Sequence, residues 1–256
     1  MTASNGLVAL IGDAHHSWTM VNALRKRLGE FPVVVERGEA EAAFWARRKA
    51  RLGTGKVLSM QCAALVAKYN KPFPRRRRMA ELRACCDATP VIDKNRIDVD
   101  SANTPESIEI IRSSRPRAVF VASTGMLRRP LLEGVGCPFV NYHSGINPAY
   151  RGINGGYFAL ARNEPENFGV TLHLIDLGVD TGTILATNRI ETSPADSLLT
   201  YVMLMAARSQ DLVVETMRRV LEGDLTAAPP NDLPSAQYFA PTLGEYLVNG
   251  LKRGIW

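Results

Sequence analysis

Three segments at the amino end leave the chain little freedom. They are "GLVALIGD" (6–13), "SWTMVNALRKRLGE" (17–30) and "FPVVVER" (31–37), and they follow one another almost without a break. The first and third are short apolar runs, which read as strands buried on both faces. The middle one repeats apolar residues at helical spacing, with Ser17 as its N-cap. A parallel return has to travel back along the sheet, and a helix is what carries it. Strand, helix and strand therefore favour a parallel sheet with a right-handed crossover, which is the α/β class.

The rest of the chain extends that frame. Segment 39–86 is rich in Ala, Arg and Leu and reads as two or three helices, broken at "GTG" and "KPFP" and inserted on the frame. Val91-Ile92 and Ile97–Val99 read as short extended pieces. "TPESIEIIRSS" (104–114) starts as a capped helix, with Thr104 as N-cap, Pro105 at the first position and Glu106 in the first turn. "AVFVAS" (118–123), "CPFVNYH" (137–143) and "GVTLHLID" (169–176) read as strands, and 198–223 as a long helix with a broad apolar face. Residues 224–256 read as Pro-rich and irregular. The expected architecture is a doubly wound, mostly parallel sheet of six or seven strands. One main domain covers 1–223, with the helical insertion at 39–86, and a short extension covers 224–256.

Composition narrows the function classes. The chain has 256 residues, 46% hydrophobic and 22% charged, enough for one sizeable core. No apolar run approaches the ~20 residues of a membrane helix. The start lacks the basic stretch and cleavage site of a secretion signal, so a cytoplasmic protein is expected. Cys62, Cys85, Cys86 and Cys137 show no C-x-x-C spacing and read as reduced structural thiols. The net charge of +6 is concentrated in "ARRKAR" (46–51) and "PRRRRMAELR" (74–83). Such runs are either a solvated helical face or the place where an anionic partner is met.

The chemistry-bearing stretch is "NYHSGINPAYRG" (141–152). Asn141 and His143 sit two residues apart at the exit of a strand, so an amide and an imidazole point the same way. Strand exits are where α/β proteins hold their ligands. "LIDLGVDTGTIL" (174–185) adds two acids, Asp176 and Asp180, around a turn in which Gly178 and Gly182 allow close backbone approach. The alternative reading is a satisfied turn acid and a structural histidine. "GTGK" (53–56) lacks the first Gly and the Ser/Thr of a phosphate loop. His15, His16, His143 and His173 have no metal-ligand spacing, so no metal is expected.

"FVNYHSGINPAYRG" followed by "NEPENFGVTLHLIDLGVDTGTIL" resembles the folate-dependent formyltransferase family. Asn-x-His, Pro-x-x-Arg-Gly, Gly-Val-Thr-x-His and Asp-x-Gly-x-Asp-Thr-Gly all stand in order, and the match is strong over roughly 118–186. The resemblance implies a Rossmann-like formyltransferase fold. It implies 10-formyltetrahydrofolate as formyl donor and a small-molecule amine as acceptor. It further implies that Asn141 and protonated His143 stabilise the tetrahedral oxyanion, with Asp180 holding the His143 charge or an ordered water. Met126 and Leu127, with the loop Ile175, Asp176, Leu177, Gly178 and Val179, would line the folate pocket. Arg151 and Gly152 would meet the substrate, and His173 is either a core histidine or a partner behind the site.

Departures from the subfamilies bear on the acceptor. "GDAHHSWTMVNAL" replaces the Gly/Ser/Asn-rich phosphate loop of glycinamide ribonucleotide enzymes. About 30 residues follow the long helix, too few for the tRNA-gripping barrel of methionyl-tRNA enzymes. A nucleotide-linked amino sugar is the favoured acceptor, its diphosphate facing the arginines. Glycinamide ribonucleotide, a hydroxylated ornithine and hydrolysis of the formyl folate are the alternatives. No nucleic-acid partner and no membrane span are expected, and a homodimer is allowed.

Overall fold

The structure, a computed structural model, describes residues 5–38, 41–70 and 72–256. β1 (Leu7–Gly12), α1 (His15–Leu28) and β2 (Val33–Glu36) open the chain. The insertion follows as α2 (Glu41–Leu52), α3 (Thr54–Tyr69) and α4 (Pro72–Ala84). Its expected residues 39, 40 and 71 lie outside the described ones. Next come β3 (Arg96–Val99), α5 (Pro105–Ser113), β4 (Ala118–Ala122), α6 (Arg129–Val135) and β5 (Phe139–His143). The second half holds β6 (Arg151–Gly152), α7 (Gly155–Ala161), β7 (Gly169–Leu174), β8 (Ile184–Arg189), α8 (Tyr201–Leu221), β9 (Gln237–Tyr238) and α9 (Leu243–Arg253).

Seven strands form one sheet in the order β3-β2-β1-β4-β5-β7-β8, and β6 with β9 forms a two-stranded ladder. The first five are parallel; β7 runs antiparallel to both of its neighbours. Burial on both faces follows from period-2 alternation along β1. Leu7, Ala9 and Ile11 enter the core that includes Trp18 and Leu24 of α1 and Met205 and Val213 of α8. Val8 and Leu10 enter the opposite core with Ile111 of α5 and Leu131 of α6. Strand order reverses between β1 and β4, so the sheet opens a crevice at their carboxyl ends, where open α/β sheets take ligands. The ends approach closely: a Cβ on Gly12 would collide with the Ser123 carbonyl.

Several expectations need correction. Ser17 does not cap α1. The cap position is Ala14, and Ser17 is buried in the first turn with no hydrogen-bond partner for Oγ. The turn is fastened instead by the Trp18 indole, which donates to Asp13 Oδ1 at 2.6 Å. Thr104 does cap α5, accepting from Ser107 N at 3.2 Å. Val91-Ile92 forms no strand, and Ile92 is 90% exposed. β8 had no strand assigned to it; its apolar content is only Ile184, Leu185 and Ala186.

The largest correction concerns the tail. Residues 224–256 are not simply irregular. β9 pairs in parallel with β6, Gly152 opposite Tyr238. α9 begins at a full capping box, Thr242 with Glu245. Trp256 closes the chain against Tyr246, ring centroids 5.8 Å apart, and its carbonyl accepts from Leu198 N. The "TLGE" signal for α9 was present in the sequence. The surrounding prolines and the lack of a long apolar run obscured it.

Candidate active site

The site is built where β5 leaves the sheet. Asn141 and His143 project together from β5, as period 2 requires, and His173 of β7 stands opposite Asn141 in the antiparallel register. Asp180 arrives on the loop between β7 and β8, in a left-handed conformation (φ 52°). Four groups converge on its carboxylate. Gly152 N donates to Oδ2 at 2.8 Å and Asn141 Nδ2 to Oδ1 at 3.3 Å. His143 Nδ1 lies 3.5 Å from Oδ2, and His173 Nε2 lies 3.4 Å from Oδ1. Asp180, 39 positions beyond Asn141, therefore joins Asn141 and His143 in one cluster.

Ring-nitrogen roles follow from what faces them. A carbonyl oxygen can only accept, so the nitrogen opposite one carries the proton in the neutral ring. His143 Nε2 faces the Tyr150 carbonyl at 2.8 Å, which leaves Nδ1, the atom toward Asp180, as the one that gains or loses a proton. His173 Nδ1 faces the Leu174 carbonyl at 2.8 Å, so its Nε2 accepts from Asn141 Nδ2 at 3.1 Å. Burial lowers the His143 pKa; Asp180 and the Tyr150 carbonyl oppose that without overcoming it. Burial pushes Asp180 upward, but the neighbouring His173 and His143 rings and the Gly152 N–H outweigh it and hold the acid at about 2. At neutral pH the pair is a carboxylate facing an unprotonated Nδ1.

Two glycines make this geometry possible. A Cβ on Gly145 would strike the Tyr150 carbonyl and the His143 ring. Gly152 holds φ 92°, and a Cβ there would strike the Tyr238 carbonyl. The two-stranded ladder of β6 and β9 thus presents the Gly152 N–H to Asp180.

The other expected residues divide. The Arg151 guanidinium bonds Val179 O at 3.0 Å and Ser235 Oγ at 3.1 Å, bracing the Asp180 loop against the tail. Asp176 closes its own loop, accepting from Gly178 N at 2.9 Å and Thr181 Oγ1 at 2.8 Å. Leu177 is half-exposed, and Ile175 packs partly into the core and donates its N–H to Phe139 O. Met126 is 54% exposed, whereas Leu127 is buried in the core.

Sequence reasoning missed the groups that complete the surroundings. The Tyr150 carbonyl orients His143, and the Tyr150 hydroxyl donates to Glu164 Oε2 at 2.5 Å. His16 Nε2 and Ser123 Oγ are 2.5 Å apart across the β1–β4 crevice, and burial, then His15, lowers His16 to about 4. Sequence offers the "HH" pair only as a metal ligand, because the partner of His16 is 107 positions away. Among the described residues, no three His, Cys, Asp or Glu side chains are placed to hold a metal, and no helix is long and apolar enough to cross a membrane.

Comparison with known proteins fits this geometry. The family model described as "Formyl transferase" matches residues 49–220. A methionyl-tRNA formyltransferase of Chlorobium chlorochromatii is 28% identical over 168 residues, which are 66% of this chain and 53% of that protein. The chain thus spans about half the length of the curated relatives it matches. A sugar N-formyltransferase from a Shewanella species superposes with a TM-score of 0.56 at 12% identity, covering 90% of this chain and 76% of that one. The Helicobacter canadensis N-formyltransferase, solved with folinic acid and dTDP-3-aminofucose, gives 0.54 at 15% identity, covering 90% and 70%. At these identities the solved structures share the fold.

Proposed function

We propose that this chain, which belongs to the formyl transferase family, moves a formyl group from 10-formyltetrahydrofolate to the amine of a small molecule. One observation carries the reading: Asn141, His143 and Asp180 meet at the carboxyl end of the sheet, with His143 Nδ1 turned to a carboxylate held ionised. The amine nitrogen attacks the formyl carbon and the carbonyl oxygen becomes an oxyanion. Asn141 Nδ2, turned from Asp180, donates to that oxygen. The nitrogen's proton leaves by way of His143 Nδ1, whose positive charge Asp180 balances. The folate N10 departs with a proton as the carbonyl re-forms. Because Nε2 is committed to the Tyr150 carbonyl, His143 serves here as proton carrier and Asn141 as the oxyanion donor.

The acceptor in this reading is a nucleotide-linked amino sugar, and of the two basic runs its diphosphate meets the one at 46–51 rather than the one at 75–78. The run 75–78 is largely committed. Arg75 binds the Ala67 and Lys68 carbonyls, Arg77 binds Glu81, and Arg78 binds buried Asp196. Arg48 and Arg51 of α2 instead flank the Phe239 ring, 5.6 and 5.1 Å from its centroid. Phe239 directly follows β9, whose Tyr238 pairs with Gly152 beside Asp180. Arg48 is lowered by burial and by the neighbouring charges of Arg47 and Arg51, the condition an anion relieves.

The test is incubation with 10-formyltetrahydrofolate, with and without a panel of amines that includes nucleotide-linked amino sugars. Formylated amine should accumulate only with the cognate acceptor. Formate release at the same rate without any amine would establish a hydrolase instead. Loss of neither substrate would reject the reading.

A further inference from the structure

α3 is apolar on two opposite sides, and the described residues cover only one of them. Val57, Met60, Ala63 and Ala67 are buried, on a helix that packs against α9 and α2. At 100° per residue, Leu58, Cys62, Leu65, Val66 and Tyr69 fall on the far side. Leu58 and Leu65 are each 58% exposed, Val66 37% and Tyr69 67%; Phe73, at 78%, continues the strip onto α4. A helix apolar on two sides belongs between two surfaces, and the described residues set a single surface against this one.

Spacing identifies the missing surface. Leu58, Cys62, Leu65 and Tyr69 are separated by four, three and four positions, the rhythm of a coiled-coil seam. Read backwards, four-three-four is the same. A two-fold axis between Cys62 and Leu65 therefore brings Leu58 of one copy onto Tyr69 of the other, and Cys62 onto Leu65, with every knob matched. A bilayer imposes no such register. The exposed area of the strip is on the order of 500 Å². Two copies would cover about 1,000 Å², the lower limit of a specific interface. We propose that α3 docks antiparallel on α3 of a second copy of this chain, forming a weak two-fold dimer through the insertion.

Sedimentation velocity on the full chain, from about 1 to 200 μM, should show the mean mass rising toward twice that of the chain. Leu65→Glu should keep it monomeric throughout, with the circular-dichroism spectrum unchanged. Should Leu65→Glu misfold, register can be read another way. In a background with Cys85, Cys86 and Cys137 changed to Ser, Leu65→Cys should oxidise to a disulfide-linked dimer. Leu58→Cys, with Cys62 also changed to Ser, should give far less, because Leu58 faces Tyr69. A wild-type chain that stays monomeric at 200 μM, or equal cross-linking in both variants, overturns the proposal. So does a monomer that binds anionic phosphatidylserine vesicles through this strip.

Discussion

The Asp180 cluster and the α2–α4 insertion solve the same problem, charge on a protein, in opposite ways. At the cluster, one carboxylate is largely buried and every oxygen of it is occupied by a donor or a ring nitrogen. A buried charge is costly unless paired, so the surrounding groups are fixed by what Asp180 needs. In the insertion the arginines are numerous and mostly exposed, and their pairs with Glu81 lie at the surface, where an ion pair contributes about 0–1 kcal/mol. Arg78 with buried Asp196 is the exception and ties α4 to the loop before α8. The first arrangement orders chemistry; the second leaves room for a partner.

That contrast can be broken by substitution, and the largest effects belong to the cluster. Asn141→Ala is expected to lower kcat on the order of 10²–10³-fold, the usual cost of one oxyanion donor. A variant within a few-fold of wild type in steady-state assays would remove Asn141 from the mechanism. Gly145→Ala drives a methyl into the His143 ring and the Tyr150 carbonyl. Overpacking of this kind costs about 1–3 kcal/mol, to be read as a lower urea midpoint together with lost activity. An unchanged midpoint would mean that the β5 exit yields easily.

The pH dependence comes next in size. His143 and His16 are both depressed, so the folded chain binds fewer protons than the unfolded chain just below the ordinary histidine value of 6.5. Stability should be full above 6.5 and fall as the pH drops toward the folded values, about 4 for His16. Asp180 is depressed to about 2, so its contribution is complete above about 4 and lost only below. Urea midpoints at pH 7 and pH 5 should differ in the wild type and differ less in His16→Gln. Asp180 raises His143, so Asp180→Asn should move the acidic limb of residual kcat/KM to lower pH. A limb that moves upward contradicts the assignment.

The smallest effects are expected in the insertion. Arg48→Gln with Arg51→Gln should raise the acceptor KM several-fold, less at high salt, with the folate KM unchanged. Arg76→Gln and Arg77→Gln should leave both constants alone. If the second pair alone shifts the acceptor KM, the diphosphate lies on α4 after all.

The legibility of the two regions differed for a physical reason. Adjacent strands, period-2 alternation and the Asn141/His143 spacing are local, and each was readable because i and i+2 in a strand must share a face. The α5 cap was local too. Ser17 was misread although its turn is fastened locally, by Asp13 through Trp18, whereas the partners of the 75–78 run were not readable at all, one of them lying 118 positions away.

Sequence alone determined that the chain would fold as a two-faced, mostly parallel sheet and that an amide and an imidazole would leave it side by side. Apolar runs must be buried and strands must alternate, whatever else the chain does. Tertiary structure alone decided which nitrogen of His143 is free to titrate, because that depends on the Tyr150 carbonyl turning back beneath the ring. It also decided that the tail would complete the site, since a two-residue pairing of Gly152 with Tyr238 has no pattern of its own. Pairings that short are stabilised by the packing around them and leave no periodic trace in the chain.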